Sequence, residues 1–88
     1  MRELFCGQID LSNQIGRPMT CEYRILIRTL PPPVCCESYG ISVTMAQTGE
    51  REDIPDITVQ AERIEHLARL LVNGAVTPCT LREICLLY

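Results

Sequence analysis

An α+β fold, a small antiparallel sheet of three to four strands with two C-terminal helices packed on one face, is predicted by three features of the sequence. Residues 21–29 and 37–46 alternate apolar and polar side chains with the period of two of a half-buried strand. Residues 58–88 carry their apolar side chains at helical spacing, in two blocks separated by Asn73-Gly74. The strands precede the helices without interleaving, the order of an α+β domain rather than of a parallel βαβ sheet. Eighty-eight residues, 47% of them hydrophobic, allow one domain and one core. A chain this short buries only about 60 to 65% of its unfolded surface, which leaves little depth for an active site.

Taken in order, residues 2–9, RELFCGQI, read as a short strand, and Ser12, Asn13, Gly16 and Pro18 mark the following segment as loop. Residues 1–20 are the least defined part of the pattern. Over residues 21–57 the chain is read as antiparallel strands. Tyr23, Ile25 and Ile27 face the core, while Arg24, Leu26 and Arg28 project from the other face. Pro31-Pro32-Pro33 cannot donate to a ladder and ends that strand in a loop. In the next strand Tyr39, Ile41, Val43 and Met45 share one face and Gly40, Ser42 and Thr44 the other, and a short connection favours antiparallel pairing with its predecessor. Residues 47–50, QTGE, are a turn signal. The segment REDIPDI returns as a third strand that Pro55 confines to an edge or to its last residues.

Residues 58–88 are read as two helices. Thr58 is a candidate N-cap for the first, whose stripe is Ile64, Leu67, Ala68 and Leu71. Gly74 is expected to stop it in a left-handed conformation. Thr77-Pro78 starts the second, with a capping hydroxyl followed by a proline at the first helical position, and Leu81, Ile84, Cys85 and Tyr88 give its stripe. The predicted core is therefore Tyr23, Ile25, Ile27, Tyr39, Ile41, Val43, Ile64, Leu67, Leu71, Leu81 and Ile84.

The YRILIR strand, Tyr39-Gly40, the Gly49-Glu50 turn, Asp56-Ile57-Thr58 at the start of the first helix and the closing LVNGAVTPCTLREI together resemble an uncharacterised family of short proteins from anaerobic Gram-positive bacteria. The resemblance covers roughly residues 23–84. This chain departs from the pattern at its end, Cys85-Leu86-Leu87-Tyr88, where the family carries acidic residues. It implies the fold and a single domain, and no activity.

Composition excludes several classes of function. A formal charge of −3 opposes binding to a phosphate backbone, which calls for a basic patch, and one Phe with three Tyr is too few for a base-stacking platform. Nucleic acid is not an expected partner. No run approaches the roughly 18 apolar residues of a membrane span and the N-terminus has no signal-peptide pattern, so the expectation is a cytoplasmic protein with no membrane partner. In that compartment Cys6, Cys21, Cys35, Cys36, Cys79 and Cys85 are expected as free thiols packing like small hydrophobes.

No metal site, cofactor site or catalytic residue is assigned. Paired zinc ligands are missing, Cys35-Cys36 pointing its thiols apart, and His66 falls in the polar sector of its helix with Glu62, Glu65 and Arg69. Phosphate-cradling loops, nucleophile elbows and metalloprotease helices do not occur.

What remains is surface. Arg24, Leu26 and Arg28 form a candidate docking face for an acidic partner. Leu70 lies about 120° from Ile64, while Leu86 and Leu87 lie about 140° and 240° from Leu81. The last helical turn is thus apolar nearly all round, the pattern of a helix buried on every side, and a two-fold homodimer through the C-terminal helix would bury it. The expected function is a small, non-enzymatic protein-interaction or adaptor module. The alternative is a thiol-based redox or metal-binding protein using its cysteines.

Overall fold

The structure, a computed structural model, describes residues 2–10 and 19–86. Four strands, β1 (Arg2–Asp10), β2 (Thr20–Thr29), β3 (Glu37–Met45) and β4 (Arg51–Thr58), are followed by helices α1 (Ala61–Asn73) and α2 (Pro78–Leu86). The strands pair antiparallel in the order β1-β2-β3-β4, and both helices pack on one face of the sheet. The α+β expectation holds, with the N-terminal segment supplying a nine-residue strand at one edge.

The period-two pattern sets the register. Tyr23 stands opposite Val43, Ile25 opposite Ile41 and Ile27 opposite Tyr39, so the odd-numbered side chains share the helix face. There Tyr23, Ile41, Val43, Ile64, Leu67, Leu71 and Leu81 are almost completely buried. Ile25 belongs to the same cluster, and Ile27, Tyr39 and Ile84 pack against it, so every residue of the predicted core is in place. Cys21 lies in the core as a small apolar side chain, its thiol donating to the Met45 sulfur at 3.0 Å. The Tyr23 hydroxyl donates to the Val76 carbonyl at 2.8 Å and ties the central strand to the corner between the helices.

Three local expectations are corrected. Thr58 does not cap α1: with Asp56 and Ile57 it belongs to β4. Its hydroxyl accepts the Gln60 N–H at 3.1 Å, a turn that ends the strand before the helix begins at Ala61, so the boundary expected at residue 58 falls later. Gly74 is not left-handed. It continues the helix at φ −87 and ψ 0, and Ala75 takes the positive φ, 50. The bonds explain why. Val76 N–H donates to Leu71 O (3.1 Å) and Ala75 N–H to Val72 O (3.2 Å), the paired closure in which the residue after the cap is left-handed and the next one packs back on the helix. Val76 and Leu71 are both buried, so burying Val76 places the reversal one residue beyond the glycine. The third correction concerns the far face of the sheet, which the half-buried strand pattern leaves to solvent.

Leu26 is only 2% exposed, Ser42 0% and Ser38 5%, although among the described residues no helix covers them. The sheet closes on itself instead. Glu3 of β1 and Arg51 of β4, on opposite edges, form an ion pair at 3.1 Å. In a flat sheet these edges lie about 14 Å apart, and the two residues also stand in different rows, Glu3 level with Leu26 and Arg51 with Thr44. Strong coiling brings them together, and both edge strands carry the irregularities that increase it: Cys6 is an extra residue in β1, and β4 bulges at residues 55–57. In the second bulge Asp56 adopts a positive φ of 57, a region Asp tolerates better than most residues. Gly40 is required beneath it, because a Cβ there would stand 2.3 Å from Ile54 O and 2.5 Å from Pro55 Cα.

Candidate functional site

Two surfaces carry chemistry: a groove on the helix side of β1, and the ion-paired far face. Among the described residues β1 pairs with β2 alone, so its outer edge presents unsatisfied ladder groups. Alternation sends Leu4 to the helix face and Phe5 to the far face; both are about half exposed, at 55% and 50%. Between β1 and α1 lies a groove of about 280 Å³. Leu4, Cys6 and Ile25 line it from the sheet, Ala68 and Val72 from the helix, and Glu65, Arg69 and Asn73 add polar groups. The bulge places Cys6 there, its thiol donating to the Tyr23 carbonyl at 3.1 Å. Partial burial in this contact pushes that thiol above its ordinary pKa, against the lowering effect of Arg24.

On the far face every guanidinium that sequence reasoning singled out has a partner. Arg28 binds Asp56 with two nitrogens, each at 3.0 Å. Arg24 lies 3.6 Å from Glu22 and stacks over Phe5, 5.6 Å from the ring centroid. Arg51 joins Asp53 at 2.7 Å as well as Glu3. The Asp56 carboxyl is held below the usual carboxylate value by the Ser38 hydroxyl and by Arg28.

The structure brings Arg24, Leu26 and Arg28 onto one face, as the alternation predicted, with Leu26 closed off from solvent between the two arginines. Leu70 lies on α1, in the other layer, and is 48% exposed. Leu86 closes α2; Leu87 falls outside the described residues. Sequence reasoning missed the groove. Its one signal was Leu4-Phe5, two adjacent large apolar residues that a strand must send to opposite faces, and only the edge position of β1 shows that both are left half exposed. Burial also pushes the Cys21 and Cys85 thiols upward, and among the described residues no three His, Cys, Asp or Glu converge to hold a metal ion. No helix among them is long and apolar enough to cross a membrane.

The model of a family of unknown function, DUF6514, matches residues 2–85, and the chain belongs to that family. The matched residues include the whole of β1, the edge strand that lines the groove. No curated protein and no solved structure matches the chain.

Proposed function

We propose that this member of the DUF6514 family is a protein-interaction module that takes an extended segment of a partner along the outer edge of β1, with an apolar side chain seated in the groove against α1. The observation that carries the reading is the coincidence of an edge open among the described residues, a half-exposed Leu4 beside it, and the groove lined by Leu4, Ile25, Ala68 and Val72. A strand added to such an edge gains main-chain hydrogen bonds. Its alternate side chains point to one face, where a pocket supplies selectivity. The reading sets the protein in the cytoplasm, where its six free cysteines stay reduced.

The test is selection of peptides on the intact protein, followed by amide NMR titration of the best binder. Shifts confined to β1 and the facing side of α1, abolished by Leu4→Asp or Val72→Asp with the fold retained, support the proposal. Shifts centred elsewhere, or binding unaffected by both changes, overturn it. A two-fold homodimer through Leu70, Leu86 and Leu87 is the second reading, favoured by the exposure of Leu70. A monomer in light scattering at micromolar concentration removes it. The thiol-based alternative has less support at Cys6, Cys21 and Cys85, where burial raises the thiol pKa.

A further inference from the structure

The far face of β3 is a row of small residues, Ser38, Gly40, Ser42 and Thr44, flanked by long charged side chains on β2 and β4. Ser42 is completely buried, and its hydroxyl and that of Thr44 have no hydrogen-bond partner. Asp53, directly across from Ser42 on β4, has its carboxyl lowered in part by the Ser42 hydroxyl, but the two do not meet in full hydrogen-bond geometry. An unpaired buried hydroxyl is destabilising. Two of them occur here two residues apart on one face of a central strand, so they share one environment. The register places a guanidinium on either side: Arg24 opposite Ser42 on β2, and Arg51 opposite Thr44 on β4.

We infer that Ser42, Thr44, Arg24 and Arg51 form a seat for a small oxyanion, a phosphate or a carboxylate. Two hydroxyls and two guanidiniums are all donors, and the group that satisfies them together is an acceptor with several oxygens. The protein's own carboxylates now occupy the arginines. Arg24 is held loosely, at 3.6 Å from Glu22, and Arg51 closes the row by reaching Glu3 across the sheet. Entry of the anion requires Arg51 to turn away from both Glu3 and Asp53, after which the same side chain closes over the anion. Its exposure, 38%, leaves it room to do so. This site lies on the face opposite the groove and does not depend on the proposal for β1.

The experiment compares inorganic phosphate and acetate with chloride at equal ionic strength, following thermal unfolding and the Ser42 and Thr44 amide signals of the intact protein. The expected result is a saturable movement of both amides and a raised midpoint with one of the two anions, which identifies the class. The Ser42→Ala/Thr44→Val double variant, freed of its unpaired hydroxyls, unfolds in chloride at or above the wild-type midpoint and no longer responds. Arg24→Gln, a change at a partly exposed position, folds normally and also loses the response. If neither anion moves these amides beyond chloride, or if the double variant responds as the wild type does, the inference is overturned.

Discussion

On the helix face, Tyr23, Ile41 and Val43 are shielded by apolar side chains from α1 and α2; on the far face, Leu26 and Ser42 are shielded almost as completely with no helix above them among the described residues. The first cover is a hydrophobic core, non-directional and not subject to the Debye screening that weakens ion pairs. The second is a sheet coiled about its own surface, with Arg51–Glu3, Arg51–Asp53 and Arg28–Asp56 drawn across it. Exposed ion pairs of this kind contribute about 0 to 1 kcal/mol each and are screened by salt. Equal burial therefore need not mean equal stability, and the two faces should respond differently to the same perturbation.

The sharpest way to break the comparison is to truncate one leucine on each face. Leu67→Ala on α1 should cost about 2 to 5 kcal/mol, read as a fall in the urea midpoint with an unchanged slope. Leu26→Ala should also cost well over the roughly 0.5 kcal/mol typical of a surface position, and its cost should shrink in about 1 M salt, where the Debye length is only about 3 Å. The cost of Leu67→Ala should not shrink with salt, because burial of apolar surface is not screened. If Leu26→Ala is neutral at low salt, the far face is open to water and the two faces differ in a simpler way. Gly40→Ala tests the bulge that helps to close that face. The new methyl group would meet backbone at Ile54 and Pro55, which cannot rotate away, so a loss of about 1 to 3 kcal/mol is expected.

Acid provides a milder test. Asp56 has its native pKa lowered below the ordinary 3.8, first by Ser38 and then by Arg28. A carboxyl lowered on folding adds stability above its unfolded value, and that contribution disappears as the pH falls from about 3.8 through the native value. The Asp56→Asn variant should therefore lose less stability than the wild type over that acid range, and by a modest amount because the group is largely exposed. NMR titration of the Asp56 carboxyl at or above 3.8 would show that the Arg28 pair does not hold the bulge.

How much of this was legible in the sequence follows from the range of the forces involved. The alternation around Tyr23 and Ile41 and the stripe from Ile64 to Leu71 are local patterns, and they fixed the strands, the helices and the whole predicted core. The burial of Leu26 is not local. It goes with Glu3 meeting Arg51 across the full width of the sheet, a contact between residues 48 positions apart, and with bulges at Cys6 and residues 55–57 that no period reveals. Arg24 and Arg28 were placed on the correct face, but their partners Phe5 and Asp56 could be assigned only once the strand order was known. The groove was missed for the same reason: whether Leu4 is core or surface depends on β1 being an edge, and the spacing within β1 does not contain that information.

The smallest effect is expected at the corner of the helix layer, where the sequence placed the left-handed residue one position too early. Ala75 holds φ 50, a conformation that costs an L-residue roughly 1 to 2 kcal/mol. Glycine there removes the clash but has more unfolded-state freedom to lose, about 0.5 to 1 kcal/mol, so Ala75→Gly should stabilise by about 0.5 kcal/mol. Gly74→Ala lacks that reward. Gly74 is already helical, so alanine's helix propensity favours the change, while its methyl group would press on Leu70 O at 3.2 Å, and the two effects should nearly cancel. Paired thermal melts decide the matter by their order: Ala75→Gly above the wild type and Gly74→Ala close to it. Should Gly74→Ala instead lose the 1 kcal/mol or more expected of alanine forced to positive φ, the reversal sits at Gly74 after all, and the Val76 carbonyl is not where Tyr23 needs it.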